Sequence, residues 1–336
     1  MEKSIIKQNV GIDISKDDFK VCFTTMSAVG KMTICGSRTF NNNLKGFKEF
    51  FEWTSKKRDN QQPVCFTMEA TGVYYEGLAY FLFAKKADFR VFIVLPNQSK
   101  AYGKSLGIKS KTDKIDAKIL AQMGLERELR LWVPISPELL GLKQLTRERD
   151  TLVRSKTTAA NHLHAITHQG KPNKSSIGRT ERHINFLNKQ VKEIEKEIEL
   201  FVNQDVKLNK KLEFLTSIPG VGLLTAATIV AETNGFASIN SIKQLTSYAG
   251  LDVKLAESGT WTGKNRISKC GNSHIRKALY MPSLSNIVYD KINKNFYERL
   301  QENNKLPMIA LVAVQRKMLG LMYTLWKNET MYDVNH

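Results

Sequence analysis

The chain's 336 residues are 42% hydrophobic, enough to bury a sizeable core, and a chain of this length holds about two domains. Lys and Arg total 51 against 32 Asp and Glu, a formal net charge of +19, which argues for a polyanionic partner rather than for any particular fold. The four cysteines, Cys22, Cys35, Cys65 and Cys270, have no CxxC spacing, which excludes a disulfide framework and fits free thiols; with no signal-peptide-like run in MEKSIIKQNV, the expected location is the cytoplasm.

From about residue 8 to 25 the pattern predicts a strand, a turn around Lys16, Asp17 and Asp18, and a second strand. KMTICGSRTF supplies a third strand and closes an antiparallel meander. LKGFKEFFEWTSKK has helical spacing at Leu44, Phe47, Phe50 and Phe51. VCFTM reads as a short buried strand, YYEGLAYFLFAKKA as a helix, and RVFIVLP as a strand stopped by Pro96. Strands alternating with helices after an opening meander imply an α/β layer fold. A further helix starts at Thr112 with TDKIDAKILAQMG.

From Ser136 to about Leu215 the chain reads as long, charged helix. PELLGLKQLTRERDTLVRSKTTAANHLHAI is followed by a polar loop, GKPNKSSIGR, and then by a heptad seam: Ile184, Leu187, Val191, Ile194, Ile198, Phe201, Leu208, Leu212 and Leu215, interrupted by Asp205. This reads as a helical hairpin or coiled coil and, if so, as a dimerisation surface; an amphipathic helix packed on its own domain is the alternative. SIPGVGLLTAATIVAE resembles a helix-hairpin-helix element, whose helix-terminal amides can hold a phosphate; such turns also simply join helices. LAESGTWTGKNRISKCGNSHIRKALY is a Gly-, Ser- and Lys-rich loop before a helix beginning near Asn272, suited to close approach to a DNA backbone. GTWTGKN lacks the spacing and final hydroxyl residue of a Walker A loop, which excludes nucleotide hydrolysis. The apolar stretch from Leu306 to Trp326 carries Gln315, Arg316 and Lys317 near its centre and is therefore expected as a core helix. The resulting domains are 1–135, 136–215 and 216–336.

Three segments place carboxylates where apolar residues belong: Asp13 in VGIDIS, Glu69 in CFTMEATG, and Asp113 with Asp116 in KTDKIDAK. Burying such groups is costly unless a cation or hydrogen bonds meet them. Asp113 and Asp116, three apart, share one helix face. Acids gathered from two strands and a helix form an oxygen cage suited to Mg²⁺. In a strongly basic chain that cage points to phosphodiester chemistry on nucleic acid. His164 and His168 have the i,i+4 spacing of a metal pair but no evident third ligand, so polar or nucleic-acid contact is the reading for them. Tyr74 and Tyr75 lack the Arg-His-Arg set of a tyrosine recombinase and read as core or substrate-positioning residues. Trp261 can stack on a base or pack.

GIDISK, MEATGVYYEGLAYFL and KTDKIDAKILA resemble the N-terminal DEDD domain of the insertion sequence one-ten family of bacterial transposases, which is related to the Piv DNA invertase. SIPGVGLLTAATIVAE, QLTSYAGL and SGTWTGKNRISKCGNSHIRKAL are similar to the family's C-terminal transposase domain, so the likeness spans nearly the whole chain. It implies a RuvC-like, RNase H-type first domain with Asp13, Glu69, Asp113 and Asp116 as catalytic ligands of Mg²⁺ in a two-metal site. The helical middle and a mainly α C-terminal domain follow. There the resemblance implies a serine nucleophile at Ser258, with Ser268 and Ser273 close by; Glu257 precedes Ser258 where a small polar residue is expected. The implied activity is that of a transposase, an RNA-guided DNA recombinase forming a covalent phosphoserine link. Its partners would be donor and target DNA, a noncoding bridge RNA, and a second copy of the chain, or four copies in the synaptic complex. Lys109, Lys111, Lys114 and Lys118 flank the acidic pair, and Lys264, Arg266, Lys269, Arg276 and Lys277 surround the serine, as expected contacts to nucleic acid. An RNA-independent invertase, a RuvC-like junction nuclease and a non-catalytic DNA-binding protein remain the alternatives.

Overall fold

The computed structural model describes residues 4–85, 89–108, 110, 112–255, 257–259, 261–263 and 266–333. The chain divides into two compact units, Met1–Pro134 and Ile135–His336.

The first unit is a five-stranded mixed sheet with helices. Strands β1 (Ile5–Ile14), β2 (Asp18–Ser27) and β3 (Met32–Asn41) form the expected antiparallel meander. Helix α1 (Leu44–Lys57) crosses to β4 (Val64–Glu69), and α2 (Glu76–Phe83) to β5 (Phe89–Val94), both strands joining in parallel. The order β3-β2-β1-β4-β5 puts β1 in the centre, the strand layout of an RNase H-type sheet. Helices α3 (Pro96–Ser105) and α4 (Asp113–Glu126) complete the unit.

Local chemistry explains these boundaries. The Asn43 carboxamide accepts from the Gly46 amide and caps α1, whose Phe47 and Phe50 then face Phe19, Phe40 and Phe66 of the sheet. Leu44, part of the predicted apolar spacing, is instead exposed at the first turn. Helix α2 starts only at Glu76, because residues 72–75 are turn, so Tyr74 and Tyr75 precede it. Pro96 ends the strand as predicted, yet it also opens α3, a helix the sequence reading lacks. Its fixed φ and missing N–H suit the first helical position.

The second unit is mainly helical. Helices α5 (Pro137–Thr167) and α6 (Lys174–Gln204) form a long hairpin joined across by Arg149 and Glu195, whose Nη2 and Oε1 lie 2.6 Å apart. Of the predicted polar loop only residues 170–173 stay outside helix, because Asn173 accepts from the amides of Ser175 and Ser176 and starts α6 early. Asp205, the misfit of the heptad seam, ends it: its carboxylate accepts from Lys207 and Leu208 and caps a new helix, α7 (Val206–Thr216). Helices α8 (Leu223–Glu232) and α9 (Ile242–Tyr248) come next. Four two-residue strands then follow: β6 (Val253–Lys254), β7 (Glu257–Ser258), β8 (Trp261–Thr262) and β9 (Arg266–Ile267). Helices α10 (Ser273–Tyr289), α11 (Lys291–Glu302) and α12 (Pro307–Asn328) end the chain.

One apolar core runs through this unit, from Leu142 and Ile198 to Leu215, Ile229, Leu279 and Met318. Helix α12 is long and apolar enough to span a membrane, but Val314, Met318, Leu319 and Met322 are fully buried in that core, as the sequence reading expected.

Candidate active site

Alternation along β1 separates two environments. Val10, Ile12 and Ile14 enter the core shared with α1 and α2, while Asn9, Gly11 and Asp13 face α4. The approach of that helix is unusually close. A Cβ on Gly11 would sit 2.1 Å from the Ala117 carbonyl oxygen and the Ala121 nitrogen, and one on Gly124 would sit 2.1 Å from Asn9 Nδ2 and 2.3 Å from Thr67 Oγ1. Asn9 Nδ2 donates to the carbonyls of Leu120, at 3.2 Å, and Ala121, at 2.8 Å. Gly124 therefore lies over Asn9 and Ala117 over Gly11, so α4 runs opposite to β1. Its first turn, with Asp113 and Asp116, falls beside Asp13.

The other two strands follow from register. Ile12 pairs with Met68, so Asp13 and Glu69 end neighbouring parallel strands side by side. Thr67, two residues before Glu69, hydrogen-bonds Asn9 on the α4 face, which puts Glu69 on that face too. Asp13 stands opposite Lys20 of β2, whose ammonium pairs with Asp113. Cys22, two residues further along β2, packs on Ala117 and Ala121.

Charge accumulates where these elements meet. The Asp13 carboxyl is pushed up to about 6, first by burial, then by Asp116, Asp113 and Glu69; Lys20 opposes them without cancelling them. Glu69 accepts from Ser99 Oγ at 2.5 Å and from Thr71 Oγ1 at 3.4 Å. The N-terminus of α4, capped by Thr112, adds the positive end of a helix dipole. Carboxylate oxygens are hard donors that suit Mg²⁺ or Mn²⁺, and the raised proton affinity of Asp13 marks negative charge that a divalent cation would relieve. By donor type these four residues suit such an ion. As the side chains lie, no three His, Cys, Asp or Glu among the described residues close into a ligating group, with Asp113 engaged by Lys20 and Glu69 by Ser99.

The basic residues predicted around the acids are partly visible. Lys114 and Lys118 are exposed on α4, whereas Lys109 and Lys111 lie outside the described residues. In the second unit the expected loop is instead a small β-hairpin. β6 pairs with β9 at its base and β7 with β8 at its tip, where Gly259 takes φ 58° in the turn. Ser258 is exposed at that tip. Ser268 is half-buried at the base and donates to Asp252 Oδ1 at 2.5 Å, and Ser273 is the exposed first residue of α10. Arg266 and Lys269 are exposed, Lys264 lies outside the described residues, and nothing is described of the Trp261 side chain. Arg276 donates to the carbonyls of Ala249 and Gly271, and Lys277 pairs with Asp150, so both have partners within the protein. His164 and His168 stack at 4.1 Å on the exposed end of α5, with no third metal ligand among the described residues.

The sequence reading missed four contributors. Lys20 and Ser99 touch the acids directly; Lys20 was legible once the β1–β2 turn was placed, because register then sets it opposite Asp13. Glu232 and Arg147 form a bidentate pair, with Nε–Oε1 at 2.7 Å and Nη2–Oε2 at 3.0 Å. Glu232 Oε2 also accepts from Asn272, the cap of α10 that follows the serine hairpin. An isolated acid ending an apolar helix is the same signal that exposed Asp13, and it was there to be read.

Residues 10–172 match the model of a transposase family, DEDD IS110, and residues 212–298 match that of the transposase IS116/IS110/IS902 family. The pilin gene-inverting protein of Moraxella lacunata is 31% identical over 97% of this chain and 98% of its own length, and that of Moraxella bovis is 30% identical over the same shares. The transposase for insertion sequence element IS1111A of Coxiella burnetii is 24% identical over 80% of this chain and 75% of its own. A solved RuvC from T. thermophilus in complex with Holliday junction substrate covers 37% of this chain and 99% of its own at 12% identity, but its TM-score of 0.28 adds nothing to the strand order above.

Proposed function

This chain belongs to the IS110 family of DEDD transposases, and from that premise we propose that it is an RNA-guided DNA recombinase with Mg²⁺ held by Asp13, Glu69, Asp113 and Asp116 and with Ser258 as nucleophile. The observation that carries the metal part of this reading is geometric: β1, β4 and the first turn of the closely seated α4 bring Asp13, Glu69, Asp113 and Asp116 to one face, where burial and the other acids raise the Asp13 pKa to about 6. Ser258 is preferred to Ser268 because its side chain is exposed at a hairpin tip, whereas the Ser268 hydroxyl is engaged by Asp252.

The chemistry that bound Mg²⁺ supplies is neutralisation of charge on the phosphoryl, attacking and leaving oxygens. The chain's own part begins with the Ser258 hydroxyl attacking a DNA phosphorus. The Oγ–P bond forms as the P–O bond to one deoxyribose breaks, and the serine proton ends on the departing hydroxyl. A hydroxyl of the partner strand then attacks the serine phosphate ester, restores the serine and joins the new strand. Each step exchanges one phosphodiester-type bond for another, so no hydrolysis is needed.

The net charge of +19 supports contacts to donor DNA, target DNA and a noncoding bridge RNA, with pairing by the guide leaving the protein to read duplex shape and phosphates. Exposed Phe186 and Leu200 on α6 support the α5–α6 hairpin as a surface for a second copy. The protein would act in the cytoplasm, on the nucleoid. A second reading is inversion of DNA, favoured by the full-length likeness to the pilin gene-inverting proteins; in this reading no RNA takes part.

The deciding experiment incubates purified protein with donor and target duplexes, with and without RNA transcribed from the flanks of its gene. RNA-dependent joining is expected, with a denaturation-resistant protein–DNA adduct mapping to Ser258. Joining that ignores the RNA would select the invertase reading. Joining by Ser258→Ala would remove the serine from the mechanism.

A further inference from the structure

The cation inside the acidic site is a residue to which neither the family match nor the mechanism above gives a role. β2 sets Lys20 directly opposite Asp13, on the face covered by α4, and its ammonium pairs with Asp113. Lys20 therefore sits beside Asp13 and Asp113, with Asp18 also near, close enough to oppose the effect of the other acids on Asp13. A lysine ammonium is a compact charge on a flexible stem, able to move between oxygen partners without rebuilding the backbone. An Asp113 oxygen engaged by that ammonium cannot serve a divalent cation equally well at the same time.

We propose that Lys20 is an exchangeable counter-ion of the acidic cluster: it neutralises Asp113 while no divalent cation is bound, yields the carboxylate when one binds, and then turns its ammonium to a DNA phosphate. This rests on the metal-binding reading above and deepens it. Four acids left without such a cation would repel one another. Once divalent ions balance the acids, the ammonium is the charge left over, and phosphate is the anion brought to that face.

The test uses full-length protein stripped of metal, with Mn²⁺ as the probe, followed by calorimetric titration and by melting in EDTA. Lys20→Gln should bind Mn²⁺ on the order of tenfold more tightly, because its competitor is gone. It should also melt a few degrees lower in EDTA, with Mn²⁺ closing the gap. With Ca²⁺ present, the salt dependence of duplex binding should lose about one phosphate contact in slope. Lys20→Arg, which keeps the charge, should melt in EDTA as the wild type does. Unchanged Mn²⁺ affinity and unchanged melting for Lys20→Gln, beside normal wild-type binding, would overturn this proposal alone. A wild type that binds no Mn²⁺ at all would overturn both it and the metal reading.

Discussion

Each unit gathers carboxylates where its elements pack together, and the two settle the charge in opposite directions. In the second unit Glu232 is 2% exposed, and burial works against its ionised form, yet the Arg147 guanidinium and the Asn272 amide hold it below the usual carboxylate range. Asp150 is likewise held low against burial by Lys277 and His274. In the first unit Asp13 is less buried than Glu232 but is pushed upward, because its acidic neighbours act with burial instead of against it. Burial alone therefore does not decide in which direction the charge of an acid is settled. The separating feature is whether the fold supplies the balancing cation or leaves much of that balance to a ligand.

The largest effect that would break this contrast concerns catalysis. Asp13→Asn and Ser258→Ala should each lower strand joining by roughly a thousandfold or more, while filter binding of duplex DNA stays within a few-fold. Wild-type joining by Asp13→Asn would make the first cluster as structural as the second.

Next is the structural pair. Glu232→Gln leaves the Arg147 guanidinium facing a neutral amide and should cost about 3 kcal/mol in urea unfolding; Arg147→Met combined with Glu232→Leu should recover part of that loss. The folded pKa of Glu232 is depressed, so its stabilisation is present above the ordinary carboxylate range and disappears as pH falls through the lowered value. A wild-type urea midpoint for Glu232→Gln would count against this assignment.

Asp13 has the reverse sign. Its folded pKa lies above its unfolded one, so protonation favours the fold below pH about 4, and that contribution is lost as pH rises through about 6. In EDTA, Asp13→Asn should therefore stabilise the protein by about 1–2 kcal/mol at pH 8, solvent screening considered, and hardly at all at pH 4. Equal melting shifts at both pH values would show that the acids do not act on one another.

The smallest effect separates the serines. Ser268→Ala loses the bond to Asp252 and should cost about 1 kcal/mol while strand joining persists, in contrast to Ser258→Ala.

Much of this was legible before any coordinates. The meander, α1 and the strand β4 follow from alternation and helical spacing, because in those segments one face is apolar and the other is not. Asp13 and Glu69 were legible for a related reason, each standing in an apolar run that predicts burial, whereas Asp113 and Asp116 showed themselves by their spacing on one helix face. What stayed hidden depends on distant partners. Ser99 is an ordinary serine until α3 is laid beside β4. The hairpin carrying Ser258 rests on strands of two residues each, too short for alternation to register. Asp205 was noticed as an exception to a heptad, but its meaning as a cap needed the local geometry of the break. Arg276 reads as one more basic residue because sequence does not show which carbonyls its guanidinium will meet.

The absence of side chains at Gly11 and Gly124 has a mechanical consequence. Seated directly on the strand backbone at Gly11 and against Asn9 and Thr67 at Gly124, α4 behaves as a keyed bar with Asp113 and Asp116 fixed to one end. Inserting a single residue between Asp116 and Ala117 would keep the key seated but swivel both aspartates by about 100°. Lengthening the chain ahead of Thr112 would instead leave the bar seated and both aspartates where they are.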